Sequence, residues 1–404
     1  MESVLFALRN LGRQRVRTLI TLAAISCGVI ALLLAGGFIE WIFWAMRDAA
    51  INTGLGHIQV TRTGYRAAGG ADPYSFVMSD SDAMMTEIEG DAEVKGVAPR
   101  LIFSGLISKG DTTLAFVCEG IDPRREASVS PILILVSGRQ LTAADEKGFM
   151  LGRGLAANLG ASPGDKVVLL VSTKSGINAV EAPVVGIFSN QVKTYDDVTA
   201  RVPIGIAREL LRVKGAHIVV VSLRDTDATD RIVAKERAHF PIAAFEFIPW
   251  YALSDFYGKA VALLSKQINL VALFIGIVIV LTISNGLIMS VLERTQEIGT
   301  MMALGNRRTH VLSVFLIEGA LLGIIGGGLG TLLGLALAAI ISAVGIPMPP
   351  PPGRDTGFSA QVLVTPTLAC AGLALAVAAS VLASLYPAWK ASRLQIVDAL
   401  RHNV

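Results

Sequence analysis

The stretch ERTQEIGTMMALG, residues 293–305, is a short polar interruption between two long apolar segments, 268–292 and 311–344. A hydrocarbon core about 30 Å thick needs roughly 20 apolar residues at 1.5 Å each. Each flank is therefore long enough to cross a bilayer, and the stretch between them is a reversal at its surface. Working outward, residues 18–39 and 365–389 meet the same criterion, while the span 311–344 carries one interior acid, Glu318. Across 404 residues, 52% are hydrophobic and only 17% charged, with a mean hydropathy of +0.59, outside the range of soluble globular chains. Residues 47–260 have ordinary polar composition and are numerous enough for one or two folded units. The expected fold class is an α-helical membrane bundle of four transmembrane helices, with a mixed α/β extracytoplasmic domain inserted between the first and second span.

Basic residues in short flanks set the expected orientation. Arg9, Arg13, Arg15 and Arg17 precede the first span; Arg294, Arg307 and Arg308 lie between the second and third; Lys390, Arg393 and Arg401 follow the fourth. All three flanks read as cytoplasmic, so the inserted domain and the loop before the fourth span face outward. Trp41, Trp44, Trp250, Tyr251 and Tyr257 fit an outer aromatic belt. The expected segments are an amphipathic cytoplasmic helix 1–17, spans within 18–46, 261–292, 311–344 and 365–389, the outer domain with its stalk 47–260, a cytoplasmic link 293–310, a Pro-rich outer loop 345–364 and a cytoplasmic tail 390–404. In the first of these, Val4, Leu8 and Leu11 share one helical face opposite Arg9, Arg13 and Arg17. A cleaved signal ending near Cys27 is the alternative, opposed by Ala24 and by an apolar run that continues well past the cysteine. Of the three cysteines only Cys118 lies in the outer domain, so no disulfide is expected there, and it reads as a small buried hydrophobe.

In that domain strands are expected at 57–61, 114–120, 166–171, 183–188 and 217–223, and helices at 81–88, 153–159, 207–212 and 227–240. A helical stalk, 250–266, leads into the second span. Catalytic signatures are missing. The only Gly-Lys pair, Gly258-Lys259, has Leu253 where a phosphate-binding loop needs glycine, and neither an HExxH helix nor a GxSxG elbow occurs. The five histidines lack ligand spacing. No metal, bound cofactor or nucleic-acid partner is expected, and the chain is read as no enzyme.

What remains is mechanical. In the third span Gly319, Gly323 and Gly327 form one small-residue row and Gly326, Gly330 and Gly334 another. Such rows let helix backbones approach closely, either within this bundle or at a sliding or dimer-forming seam. Glu318 is a functional candidate because an intramembrane acid is costly, with pairing or snorkelling as the structural alternative. In the link, Glu293 and Glu297 favour a helix start and Gly305 with Asn306 a stop. Between them Ile298, Met301 and Met302 make a small apolar face, suited to a groove on a partner or to the membrane surface.

The sequence ERTQEIGTMMALGNRRTHVLSVFLIEGALLGIIGGGLG resembles the signature of the FtsX-like permeases of ABC transporters, the family of LolC, LolE and MacB types. ALRNLGRQRVRTLITLAAISCGV and YPAWKASRLQIVDALR resemble the family's two ends, and HIQVTRTGY and FMLGRGLAANLGASPGDKVVLL its extracytoplasmic domain. The layout is closest to lipoprotein-releasing subunits. Gln296 and Met302 stand where relatives commonly carry basic residues, and the 396–398 stretch lacks a proline often seen there. The resemblance implies a coupling helix over 293–304 that seats on a separate cytoplasmic ABC ATPase dimer, with Glu293, Arg294, Glu297, Ile298, Met301, Met302, Leu304 and Gly305 as its docking residues. ATP and Mg would be bound by that ATPase alone. It further implies a second permease copy or paralogue, membrane lipid as surroundings, a periplasmic carrier or adaptor, and an inner-membrane location with both termini cytoplasmic. The implied mechanism is mechanotransmission for extraction or export of a lipidic cargo, lipoprotein release first; the alternatives are efflux of drugs or peptides through an adaptor and cargo-free signalling to a cell-wall hydrolase. The Pro-rich segment 346–353 is read as a stiffened outer loop.

Overall fold

A computed structural model of the chain describes Arg13 and residues 15–393, apart from 71, 132, 143, 146, 174–175, 191, 242, 306 and 351–356. Most of the expected amphipathic helix 1–17, the helix-stop residue Asn306, the end of the Pro-rich segment and the chain after 393 lie outside the described residues. Numbering helices of seven residues or more, the chain forms α1 (Arg15–Ala50), α2 (Ser81–Glu89), α3 (Pro123–Val129), α4 (Arg153–Leu159), α5 (Ile204–Leu211), α6 (Thr229–His239), α7 (Asp255–Glu293), α8 (Thr295–Ala303), α9 (Arg308–Val344) and α10 (Pro366–Ser392). It divides into two compact units, one holding residues 45–259 and 348–358 and the other the rest.

In the membrane unit, α1, α7, α9 and α10 are each long and apolar enough to cross a membrane. Local chemistry fixes their ends. Thr365 accepts the Leu368 N–H at 3.2 Å ahead of Pro366, satisfying one orphan donor of α10 where a missing proline N–H costs nothing. Gly345 closes α9 at φ +74°, a backbone that side chains resist. One core runs through all four helices, from Ile25, Val29 and Leu33 through Ile279, Ile283 and Leu287 to Phe315, Leu322 and the alanine stripe Ala376, Ala379 and Ala383.

The inserted unit is mixed α/β, as expected. Its strands are β1 (Ile58–Arg62), β2 (Val94–Lys109), β3 (Thr112–Ile121), β4 (Ile134–Gly138), β5 (Phe149–Gly152), β6 (Lys166–Thr173), β7 (Gly176–Ser189), β8 (Thr199–Pro203), β9 (Ile218–Leu223) and β10 (Phe245–Pro249). They form one sheet in the order β10-β1-β9-β2-β3-β8-β5-β7-β4, with β6 bridging β2 and β7. Pairing is antiparallel except β3 with β8 and β5 with β7. The unit's two largest cores lie against the sheet: Ile58, Val60, Val219 and Val221 pack with α2 and α6, while Phe103, Phe149, Val167 and Leu169 pack with α4 and α5. The long strand β2 belongs to both, through Val94 and Val97 at one end and Leu101 to Ile107 at the other. The sequence reading places no strand there, because Gly96, Pro99 and Gly105 interrupt the alternation. Pro99 is tolerated because the Arg100 carbonyl faces β9, so the Pro99 nitrogen faces the opposite side, where β3 ends at the Arg100–Ile121 pair. The expected 250–266 stalk is not continuous: a single turn, Trp250–Leu253, breaks at Ser254 before α7 begins.

His57 locks β9 from the buried start of β1. Its Nδ1 accepts the Leu223 N–H at 3.1 Å, so the ring proton sits on Nε2 and is donated to Thr226 Oγ1 at 3.0 Å. Burial, reinforced by the charges of Lys95 and Arg47, lowers its pKa from 6.5 to about 4. The unfolded chain therefore binds a proton at His57 before the folded chain does. This contribution is complete above pH 6.5 and is lost as pH falls from 6.5 towards 4. In urea titrations at pH 7 and pH 4.5, His57→Gln is expected to shrink the acid-induced loss of stability of the inserted unit; an unchanged loss contradicts this assignment.

Candidate functional site: the link between the second and third spans

The polar reversal folds as α8, and its residues divide differently from the sequence expectation. Glu293 is the last residue of α7 rather than the start of the short helix, and Arg294 is the N-cap of α8. Glu297 occupies the first turn, and Gly305, at φ +94°, ends the link in a left-handed conformation after Leu304. Ile298 and Met302 are buried in the chain's own bundle core beside Val311 and Phe315. Met301, half-buried, lines the shallow crevice between α8 and α9. Ile298 and Met302 are thus turned inward against α9, while Met301 stays partly accessible. The physical reason is proximity: a helix of nine residues between two spans buries its small apolar stripe on the nearest apolar surface. The outward face is Gln296, Thr300, Ala303 and Leu304, at helical spacing, and Leu304 is 82% exposed.

Two ion pairs tie this link to the start of α1. Arg17 grips Glu293 with both guanidinium nitrogens at 3.1 and 2.5 Å. Arg13 meets Glu297 at 2.8 Å, and Arg294 reaches the same carboxylate at 3.2 Å. Burial opposes ionisation of Glu297, but hydrogen bonds from Arg294 and Arg13 outweigh it and hold the carboxyl below its ordinary pKa. From sequence, Arg13 and Arg17 enter as cytoplasmic markers and as the polar face of the amphipathic helix, not as partners of the link. A signal was present, since arginines four apart match glutamates four apart at 293 and 297.

Glu318 does not snorkel. It is 5% exposed in α9 and lines a cavity of about 20 Å³ with Arg17, Thr21, Gly286, Ser290 and Leu322. Its Oε2 and the Ser290 Oγ both lack a hydrogen-bond partner among the described residues. The two glycine rows of α9 take different neighbours within the chain. A Cβ at Gly319, Gly323 or Gly327 would strike Ser384, Ser380 or Leu373 and Ala376 of α10. One at Gly326, Gly330 or Gly334 would meet Ile25, Ser26 and Val29, or Leu33 of α1. Both rows are therefore filled by bundle packing, and Ser26 Oγ donates to the Gly326 carbonyl at 2.9 Å across the second. At Gly330 an added Cβ lies 2.8 Å from the Ser26 carbonyl oxygen, a backbone atom that cannot swing aside. Gly330→Ala is expected to cost about 1–3 kcal/mol of overpacking, whereas Gly328→Ala, in open space, is expected to cost nothing. Thermal unfolding of the two variants in detergent separates them, and equal melting temperatures contradict the packing assignment.

The inserted unit carries a second polar constellation, invisible in the sequence because its members are scattered over a hundred positions. Arg100 on β2 donates to Glu126 on α3 at 2.5 Å, to Ser130 at 2.8 Å and to the Gly54 carbonyl. Arg201 on β8 binds Glu119 on β3 at 3.0 Å and lies 3.7 Å from Glu126. All four charged side chains are at least nine-tenths buried. Burial works against charge on Glu126, yet Arg100 and Arg201 outweigh it and keep its pKa below the ordinary value. Burial pushes the neighbouring Tyr195 hydroxyl the other way, well above its usual range. Cys118 is fully buried, as expected, and its thiol pKa is raised by that burial.

Four helices long and apolar enough to cross a membrane, with a mixed α/β domain after the first and a short helix between the second and third, define a membrane protein. The family described as "MacB-like periplasmic core domain" matches residues 18–238, more than half of the chain, and "FtsX-like permease C-terminal" matches residues 269–396. The chain belongs to this family of ABC transporter permeases, which implies a partner ABC ATPase. It is 28% identical over 346 residues to the "Lipoprotein-releasing system transmembrane protein LolC" of Xylella fastidiosa, covering 78% of this chain and 79% of that one. The "Macrolide export ATP-binding/permease protein MacB" of Syntrophobacter fumaroxidans is 34% identical over 141 residues, 35% of this chain and 18% of that one. The ABC transporter permease MJ1507 of Methanocaldococcus jannaschii is 24% identical over 357 residues, 85% of each chain.

Proposed function

We propose that this chain is the permease subunit of a mechanotransmission ABC transporter that extracts a lipidic cargo, lipoproteins in the first place, from the inner membrane. The observation that carries the coupling part is α8: its inner face is fixed to α9 through Ile298 and Met302, and its outer face presents Gln296, Thr300, Ala303 and Leu304. A short helix clamped on one side and open on the other passes a push directly to the spans it joins. A separate cytoplasmic ATPase binds ATP and Mg and seats on that open face, two permease copies or a paralogous pair face each other, and both termini are cytoplasmic. The inserted domain then lies in the periplasm, where a carrier or adaptor receives the cargo. The extent and even coverage of the likeness to LolC support lipoprotein release. The match of 18–238 to the MacB-like core supports a second reading, efflux of drugs or peptides through an adaptor; cargo-free signalling to a cell-wall hydrolase is the third.

Purification of the chain from its native membrane in mild detergent, with mass spectrometry of bound proteins and lipids, tests the proposal. An ATPase with acylated lipoproteins is the expected result. An ATPase with an adaptor or a hydrolase redirects the assignment to efflux or to signalling, and recovery without any ATPase overturns it.

A further inference from the structure

Among the described residues, the arginines Arg13, Arg17 and Arg294 and the acids Glu293, Glu297 and Glu318 lie around the link. Arg17 holds Glu293, whereas Glu297 receives both Arg13 and Arg294. Glu318, more deeply buried than either of the other two acids, has an oxygen without a hydrogen bond. Leaving a buried carboxylate oxygen unserved is the costly side of any polar pairing. Arg294 is placed to serve it. Its backbone N–H bonds to the Ser290 carbonyl, so it sits one helical turn beyond Ser290 on the same face. The Ser290 hydroxyl, also unpartnered and 3% exposed, lies on the wall of the same cavity as Glu318. Arg17 on that wall opposes a bound metal cation, and the volume of about 20 Å³ admits no more than one water until the link shifts.

We propose that Arg294 is a positioning residue that exchanges carboxylates, holding Glu297 in the state described above and Glu318 together with Ser290 when α8 is displaced by its partner. This rests on the reading of α8 as the ATPase seat. Glu297 keeps Arg13 after the exchange, so that carboxylate is not left without a cation. The planar five-donor guanidinium suits the task, since it can bind a carboxylate and a hydroxyl at once. Displacement of the coupling helix is thereby converted into a new bond between Arg294, just after α7, and Glu318 of α9.

A double-mutant cycle of Arg294→Gln and Glu318→Gln, with the chain in complex with its co-purified ATPase in proteoliposomes, tests the exchange. Each single change is expected to lower stimulated ATPase activity about tenfold, and the double change no further, as for partners in one interaction. In nucleotide-free protein the same two changes are expected to lower the melting temperature additively, because the pair is not formed in that state. Singles that multiply to about a hundredfold in activity overturn the exchange, and so does non-additivity in the nucleotide-free melt, which marks a permanent structural pair. Ser290→Ala removes only one hydroxyl and leaves folding intact; a several-fold fall in stimulated activity is expected, and no change counts against the proposal. Absence of stimulation by the unaltered chain refutes the docking reading itself, whereas intact stimulation with multiplying singles refutes only the exchange.

Discussion

Leu304→Asp is expected to abolish stimulation of the partner ATPase while leaving the permease folded and inserted. Leu304 is 82% exposed and closes the outward face of α8, so the bundle does not depend on it. In the docked complex an apolar side chain of this size contributes roughly 1.5–3 kcal/mol by burial. An aspartate there loses that contribution and places an unpaired charge in the interface, which costs several kcal/mol more. The combined effect corresponds to on the order of a hundredfold or greater loss of affinity. Co-purification with the ATPase and steady-state ATP hydrolysis in proteoliposomes both report it. Ile298→Asp gives the contrasting result: Ile298 is 5% exposed within the bundle core, so that change is expected to lower the melting temperature of the permease alone. Normal stimulation in Leu304→Asp contradicts the assignment of the docking face.

The second large effect lies in the inserted unit. Glu126→Gln is expected to destabilise it by about 3–5 kcal/mol, because Arg100 keeps its charge but loses the carboxylate that offsets its burial. Removing the cation as well, in Glu126→Gln with Arg100→Met, is expected to recover most of that loss, since an apolar replacement of a buried ion pair is often close to neutral. Amide hydrogen exchange at Leu101 and Gly120, paired across β2 and β3, reads the stability of this region without interference from the membrane unit. A loss below about 1 kcal/mol in the single variant means that the pair is solvated and that the cluster does not organise the sheet.

The spans were legible because about twenty consecutive apolar residues admit few other readings. Segments with one strong local signal were legible too: Arg153–Leu159 is a helix stopped by Gly160 at φ +63°, as its sequence implies. Strand β2 was not, because Gly96, Pro99 and Gly105 remove the alternation and only its partners β9, β3 and β6 make those residues tolerable. The link was legible in kind, but the surface its apolar face meets was not. Ile298 and Met302 were correctly read as an apolar face, yet spacing cannot say which surface such a face meets; the chain's own Val311 and Phe315 take it. Glycine rows carried the same ambiguity, and it was resolved by Ser384, Ser380, Ser26 and Val29, small or retracted groups on α10 and α1 that fit against them. The Arg100, Glu119, Glu126 and Arg201 cluster had no local signature at all, since each member lies on a different element of the sheet or its covering helix.

Whether an ATPase seats on the open face of α8 is read by a photo-crosslinking amino acid in place of Leu304, activated in intact membranes. Seating there predicts one dominant adduct with a nucleotide-binding ATPase subunit, lost when the reactive group is moved to the buried position of Met302. Adducts confined to lipid, or to the chain itself, would contradict it.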